Sequence, residues 1–470
     1  MAKHRLVTIG DSISQGVRSG AAVDGSLSWP MFLADAMGIS DSFRAPVIAA
    51  PSLGLPVNLE YLVTEVLARF GTELSWYEVP AAALRVRSWM DDVEDHWEAG
   101  PGSAPQVVNA GDGPYHNLGI LGFDLRDALS LTAAECDRRI PGSRADDALV
   151  KQVPEAAGFR VAREVLNVAG PDKTVFDAAK DLADDGGVEV LVVMLGSNNA
   201  LQVASELELH WTGADFDDLD AKGKYTLWQP HHFATEYAAV VEAAAAVGAE
   251  QTVLATVPKV TIVPLARGVG DKMAQGSRYY EHYTRVWIDD DDFEPDRDKH
   301  ITHREARDAD LSIDAYNDTI RAAADDMGAS WHVFELGHRL DSMATKRYIE
   351  DPSARPAGFV PYQWPDPLAD LDPLLGTKFF RSDNGKRVEG GIFSLDGIHP
   401  TVIGSALIAH EIAVLLRDAG VDVADVDLQA ALDADQLNSN PPDIVDSVLG
   451  VVGWLDQLAD VFTSIARLGR

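Results

Sequence analysis

Val188-Glu189-Val190-Leu191-Val192-Val193-Met194-Leu195 is a continuous apolar, mostly β-branched run interrupted only by Glu189. A strand covered by helices on both faces reads this way, without the alternation of a half-exposed strand. Ahead of it, residues 178–183 (AAKDLA) read as helix and Asp184-Asp185-Gly186-Gly187 as the break. Behind it the same rhythm continues. Residues 233–247 form an Ala-rich helix pattern before the strand-like 252–257 (TVLATV), and 311–327 a helix before the strand-like 331–334 (WHVF). Toward the N-terminus, Leu6-Val7-Thr8-Ile9 is a short strand that stops at Gly10, and 116–122 (HNLGILG) is a weaker one followed by helix-like 123–131. An amphipathic helix over 402–419 closes the pattern. Strands alternating with helices predict an α/β fold, a parallel sheet with helices on both faces.

Three stretches fit this rhythm poorly, near 20–110, 260–310 and 340–390. Rich in turn residues and carrying many of the tryptophans, they are expected to be long loop insertions, where lids and substrate walls form. The expected organisation is one domain over 1–420 carrying these insertions, then a C-terminal helical extension over 421–470. In that extension Ile444, Val448, Val452, Leu455, Val461 or Phe462 and Ile465 recur near helical spacing. A helix docked on the main domain is the plain expectation for it, and self-association through that helix the sharper one.

The chain has 470 residues, 46% of them hydrophobic, enough for a sizeable core. Its 74 acidic against 39 basic residues give a formal net charge of −35, which argues against nucleic acid and anionic lipid as partners and suits solubility, including in a salt-rich cytoplasm. The single cysteine, Cys136, leaves no internal disulfide and no cysteine cluster for zinc. Neither a signal-peptide core before Gly10 nor an apolar run of about 18 residues is visible, so no membrane span and a cytoplasmic location are expected. Asp289-Asp290-Asp291-Asp292 lacks the Gly and terminal Glu of a calcium loop and reads as a solvated loop. His231-His232 are adjacent, cannot easily share one helix face, and are not expected to hold a metal.

Gly10-Asp11-Ser12 follows the first strand directly. In open α/β sheets ligands bind at the carboxyl ends of the strands, so Ser12 emerges where chemistry is done. Taken alone, the tripeptide could equally be a turn and helix cap. Gly196-Ser197-Asn198-Asn199 ends the strand quoted first, and an Asn amide there could face a developing oxyanion, or simply make a turn. Asp396 and His399, three apart in Asp396-Gly397-Ile398-His399-Pro400, could pair carboxylate with imidazole. A serine needs such an oriented base to become a nucleophile. The Gly-x-Ser-x-Gly elbow of the common α/β-hydrolases is absent.

Strand-Gly-Asp-Ser at the start, Gly-x-Asn in the middle and Asp-x-x-His-Pro near the end together resemble the SGNH/GDSL hydrolases. Asn117-Leu118-Gly119-Ile120-Leu121-Gly122 resembles that family's second block, and Thr401, Gly404 and Leu407-Ile408-Ala409 its closing helix. The resemblance covers about 1–420 and leaves the insertions unmatched. It implies a flavodoxin-like three-layer sandwich and a Ser12/His399/Asp396 triad without metal or cofactor. It also implies an oxyanion hole from the backbone N–H groups of Ser12 and Gly122 and the Asn198 side chain. Ile13 stands where the family has Leu, and Asn199 where an Asp commonly follows the Asn. The expected activity is hydrolysis of a small-molecule carboxylic ester, carboxylesterase- or lipase-like, through an acyl-serine. The rival is a catalytically idle binding or scaffold protein on the same fold.

Overall fold

The computed structural model describes residues 2–22, 25–48, 54–71, 77–98, 107–108, 113–141 and 156–442. Five parallel strands make the central sheet: β1 (His4–Gly10), β2 (Asn117–Gly119), β3 (Val188–Met194), β4 (Gln251–Ala255) and β5 (Trp331–Phe334). Their spatial order is β2-β1-β3-β4-β5, the flavodoxin-like arrangement, in which the chain changes direction across the sheet between β1 and β3. The register places Gly10 beside both Gly119 and Met194, so β1, β2 and β3 end level with one another. The turns beyond these three strands therefore rise from the same edge of the sheet.

The apolar run of β3 is buried throughout apart from half-buried Glu189. That carboxylate receives Arg5 Nε of the neighbouring β1 at 2.7 Å, which is how the central strand tolerates a charge. Helix Val175–Asp184 packs on β1, helix Pro230–Val247 on β3, and helix His303–Met327 on β4, each beside the next. Helix Val402–Asp418 packs with helix Trp29–Ala36 to make the other layer, reaching β5. The result is a three-layer α/β sandwich.

The insertions contain structure of their own. The first carries helices Leu59–Phe70 and Val79–Glu98 in addition to Trp29–Ala36. The second carries an antiparallel sheet of Ala266–Lys272, Tyr280–Arg285 and Ile301–Thr302. The third ends in the hairpin Arg381–Asp383 with Lys386–Glu389. Helix His303–Met327 begins eight residues earlier than its apolar periodicity suggests. Its first turn is fixed by a capping box between Thr302 and Glu305, and small Ala306 and Ala309 turn inward among polar neighbours. Beyond 420, Leu428–Ala434 and Gln436–Ser439 are short helices, and Ile403 N donates to Asp435 at 2.9 Å. The apolar series from Ile444 to Ile465 lies outside the described residues. Among the described residues no helix is long and apolar enough to cross a membrane.

Candidate active site

Ser12 opens a four-residue helix, Ser12–Gln15, immediately beyond β1. Asp11 caps it, Oδ1 accepting the Ile13 N–H at 3.0 Å. The turn is locked to the end of β2: Ile120 N donates to the Gly10 carbonyl at 3.1 Å, Leu121 N to Gln15 Oε1 at 2.7 Å, and Asn117 Nδ2 to the Ser14 carbonyl at 2.8 Å. Gly122 comes next with φ +78°, a conformation open to glycine at little cost. On the other side of β1, Gly196 bends the chain after β3 into the turn Ser197–Asn199. Asn198 Nδ2 donates one hydrogen to the Phe123 carbonyl at 2.9 Å, and its second N–H is uncommitted to any protein acceptor among the described residues. Neither the Ser12 nor the Gly122 backbone N–H donates to a protein acceptor among those residues.

The segment before helix Val402–Asp418 supplies the remaining groups. His399 Nε2 lies 2.8 Å from Ser12 Oγ, and His399 Nδ1 lies 2.7 Å from Asp396 Oδ2. All three side chains are buried. Asp396 is held by more than the imidazole. Its Oδ1 accepts the N–H groups of Ile398 and His399, each at 2.8 Å, and its Oδ2 accepts the Gly20 N–H at 2.6 Å. Burial pushes this carboxyl up, but the adjacent His399 and these hydrogen bonds outweigh it and hold the pKa below the ordinary carboxylate value. The arrangement is a continuous hydroxyl–imidazole–carboxylate chain, with the N–H groups of Ser12, Gly122 and Asn198 on neighbouring turns. It can move a proton from Ser12 Oγ to His399 while Asp396 fixes the tautomer.

Several participants carry no signal in the sequence. Ser19, at φ +50°, donates its N–H to Ser394 Oγ at 2.8 Å and accepts Leu395 N at 3.2 Å, clamping the loop after Ser12 to the Asp396 turn. Asp11 is fully buried with Oδ2 unpartnered, and burial pushes its pKa up to about 6, with the Ile13 N–H and His399 pulling the other way. Asn199, where an Asp was expected from the resemblance, receives the Leu125 N–H on Oδ1 at 3.4 Å and leaves Nδ2 unpartnered.

Two cavities meet at Asn198. One, about 100 Å³, has Ser12 in its wall and is otherwise lined mostly by aliphatic and aromatic groups, among them Ile13, Leu201, Val260, Phe334, Met343 and Leu407. Arg339 and Glu411, paired at 2.9 Å, stand at its polar margin. The other, about 90 Å³, touches Gly122 and is mixed, with Leu131, Phe159 and Trp228 in its wall beside Lys222, which bridges Asp124 and Asp127 at 2.7 Å each. His231 and His232 lie elsewhere: His232 stacks on Phe216 and its Nδ1 is 2.8 Å from Thr212 Oγ1. Asp290 of the acidic run accepts the Gly270 N–H at 3.1 Å and pairs with Arg267. Cys136 is buried and its thiol pushed up to about 12, burial being the main cause. Compared with family models, curated proteins and solved structures, the chain matches none.

Proposed function

We propose that this chain is a serine hydrolase of carboxylic esters, of the SGNH/GDSL kind, acting through an acyl-enzyme. The observation that carries the reading is the unbroken chain from Ser12 Oγ through His399 to Asp396, with both contacts under 3 Å. Ser12 Oγ attacks the ester carbonyl carbon as its proton passes to His399 Nε2. The tetrahedral oxyanion is met by the N–H groups of Ser12, Gly122 and Asn198. His399 then returns the proton to the departing alcohol, and a water, deprotonated by the same imidazole, releases the acid. The apolar cavity at Ser12 suits the acyl chain, and the mixed one at Gly122, which carries the Lys222–Asp124–Asp127 cluster, the alcohol.

A fluorophosphonate probe separates this reading from an idle scaffold. The wild-type protein should be labelled stoichiometrically, and Ser12→Ala should keep its circular-dichroism spectrum while losing both the label and turnover of 4-nitrophenyl butyrate. The expected loss in kcat is roughly 10³-fold or more. Labelling that persists in Ser12→Ala would remove Ser12 from the chemistry.

A further inference from the structure

The largest of the cavities described lies beside the Asp396–His399 turn, holds about 610 Å³, and is built almost entirely from the second and third insertions. Arg267, Arg278, Lys346, Arg347, Lys378 and Arg381 line it, against only two carboxylates, Asp289 and Glu389. In a chain of net charge −35, such a concentration of cations runs against the composition. Much of this charge is answered locally: Arg347 pairs with Asp310 at 2.8 Å, Arg267 with Asp290, and Lys378 with Glu389 at 2.8 Å and with Glu350. Two cations are not. Lys346 and Arg278 have no hydrogen-bond or salt-bridge partner among the described residues, and Arg278 sits 5.8 Å over the Tyr348 ring. Lys346 is exposed to solvent in the wall of the cavity, with Arg267 and Lys378 as like-charged neighbours. Partial desolvation by the surrounding wall and the like charges of Arg267 and Lys378 push its pKa down, against the weaker pull of Asp290 and Glu389. An anion placed there would reverse that unfavourable balance.

We propose that this cavity binds an anionic small molecule through Lys346 and Arg278, the recognised group being a phosphate or carboxylate. The volume falls in the range of small-molecule sites. Its position ties it to the neighbouring chemistry: Val263 belongs to the walls of both this cavity and the one at Ser12, and Leu265 N donates to the Gly397 carbonyl at 3.1 Å. The anion has two sources, the charged end of the ester substrate itself or a separate ligand. The first of these rests on the esterase reading; the binding site does not.

The test begins with binding and needs no turnover. Inorganic phosphate is titrated calorimetrically, at fixed ionic strength, into the full-length wild type, Ser12→Ala, Lys346→Gln, Lys346→Arg and Arg278→Gln. Saturable binding is expected for the wild type and for Ser12→Ala alike. Each Gln variant should bind about tenfold more weakly or worse, as loss of one charge-assisted contact implies, and Lys346→Arg should restore most of the affinity. Thermal midpoints at or above wild type in Lys346→Gln would show that the fold survives removal of a crowded charge. Absence of saturable phosphate binding, or equal affinity in every variant, overturns the proposal. The source is read from kinetics on butyrylglycerol and butyrylglycerol 3-phosphate. If the anion is the substrate's own, Lys346→Gln raises KM for the phosphate ester about tenfold and leaves the neutral ester unchanged. If both KM values hold while phosphate binding is lost, the ligand is a separate molecule.

Discussion

Ser12, Asp396 and His399 do ordinary things for their residue types; Asp11, next to Ser12, does not. It is a carboxyl buried completely, with one oxygen capping a helix and the other without a partner. Its pKa is raised by burial to about 6, above an unfolded value near 3.8. Between about pH 4 and pH 6 the folded chain therefore binds more protons than the unfolded chain. Stability contributed by the neutral carboxyl is present below that window, falls across it, and stays lost above it. Asp396 behaves in the opposite sense: its pKa is lowered, so its contribution is present above the ordinary carboxylate value and is lost only on acidification below it. The two residues thus act in separate pH ranges. Asp11→Asn keeps the cap oxygen and carries no charge. It should match wild type near pH 4 and exceed it at pH 7 by on the order of 2–3 kcal/mol, since one pKa unit corresponds to about 1.4 kcal/mol. Urea unfolding of both proteins from pH 4 to pH 7.5 checks this. A wild-type advantage at pH 7 would mean that the ionised Asp11 is stabilised by the fold.

The element that most constrains the site is the short helix Ser12–Gln15 lodged against the end of β2. A Cβ on Gly119 would lie 2.5 Å from Gln15 N and 2.7 Å from the Ser14 carbonyl carbon, both backbone atoms that cannot turn aside. Gly10 is tight as well: a Cβ there would meet Ser14 Cβ at 2.7 Å and the Met194 carbonyl oxygen at 2.9 Å. Gly119→Ala should therefore cost about 3 kcal/mol or more, at or beyond the upper end of ordinary overpacking, and should lower the rate of the proposed ester hydrolysis by shifting Ser12 against His399. Denaturation midpoints and kcat for the same ester substrate measure both effects. An unperturbed variant would mean that the turn has slack the packing does not suggest. At this scale β1, β3 and β4 were legible because parallel strands buried on both faces leave continuous apolar runs, and the half-buried edge strand β5 was legible from its place after a helix. Helix His303–Met327 was only half legible: its first eight residues, HREARDAD, face the core through alanines and one buried Asp310, so hydrophobic periodicity is nearly silent there. Its capping residues, Thr302 and Glu305, were the available signal.

Across the whole molecule the dominant quantity is the net charge of −35. Most exposed ion pairs contribute little, and buried ones such as Arg347 with Asp310 are barely screened. Added salt therefore acts mainly on the self-repulsion of the acidic surface, which a shorter Debye length reduces, from about 10 Å at 0.1 M to about 3 Å at 1 M. The thermal midpoint is expected to rise by several degrees from 0.1 to 1 M KCl at pH 7. A midpoint that falls instead would show that attractive pairs outweigh the repulsion.

The sequence by itself determined what is local or periodic. It marked the alternation of strand and helix, placed Ser12 and Asn198 beyond strand ends, and set Asp396 three residues before His399, because backbone geometry acts over short separations. Only the tertiary structure decided that positions 387 residues apart come within a hydrogen bond, Ser12 to His399. The same holds for the Gly20 N–H on Asp396, a contact spanning 376 residues. The cations of the large cavity are scattered from Arg267 to Arg381 over two insertions, in stretches that still carry more acidic than basic residues. No local pattern encodes such a cluster. It exists because the antiparallel sheet and the hairpin are packed beside the Asp396–His399 turn, and long-range packing leaves no period in the sequence to read.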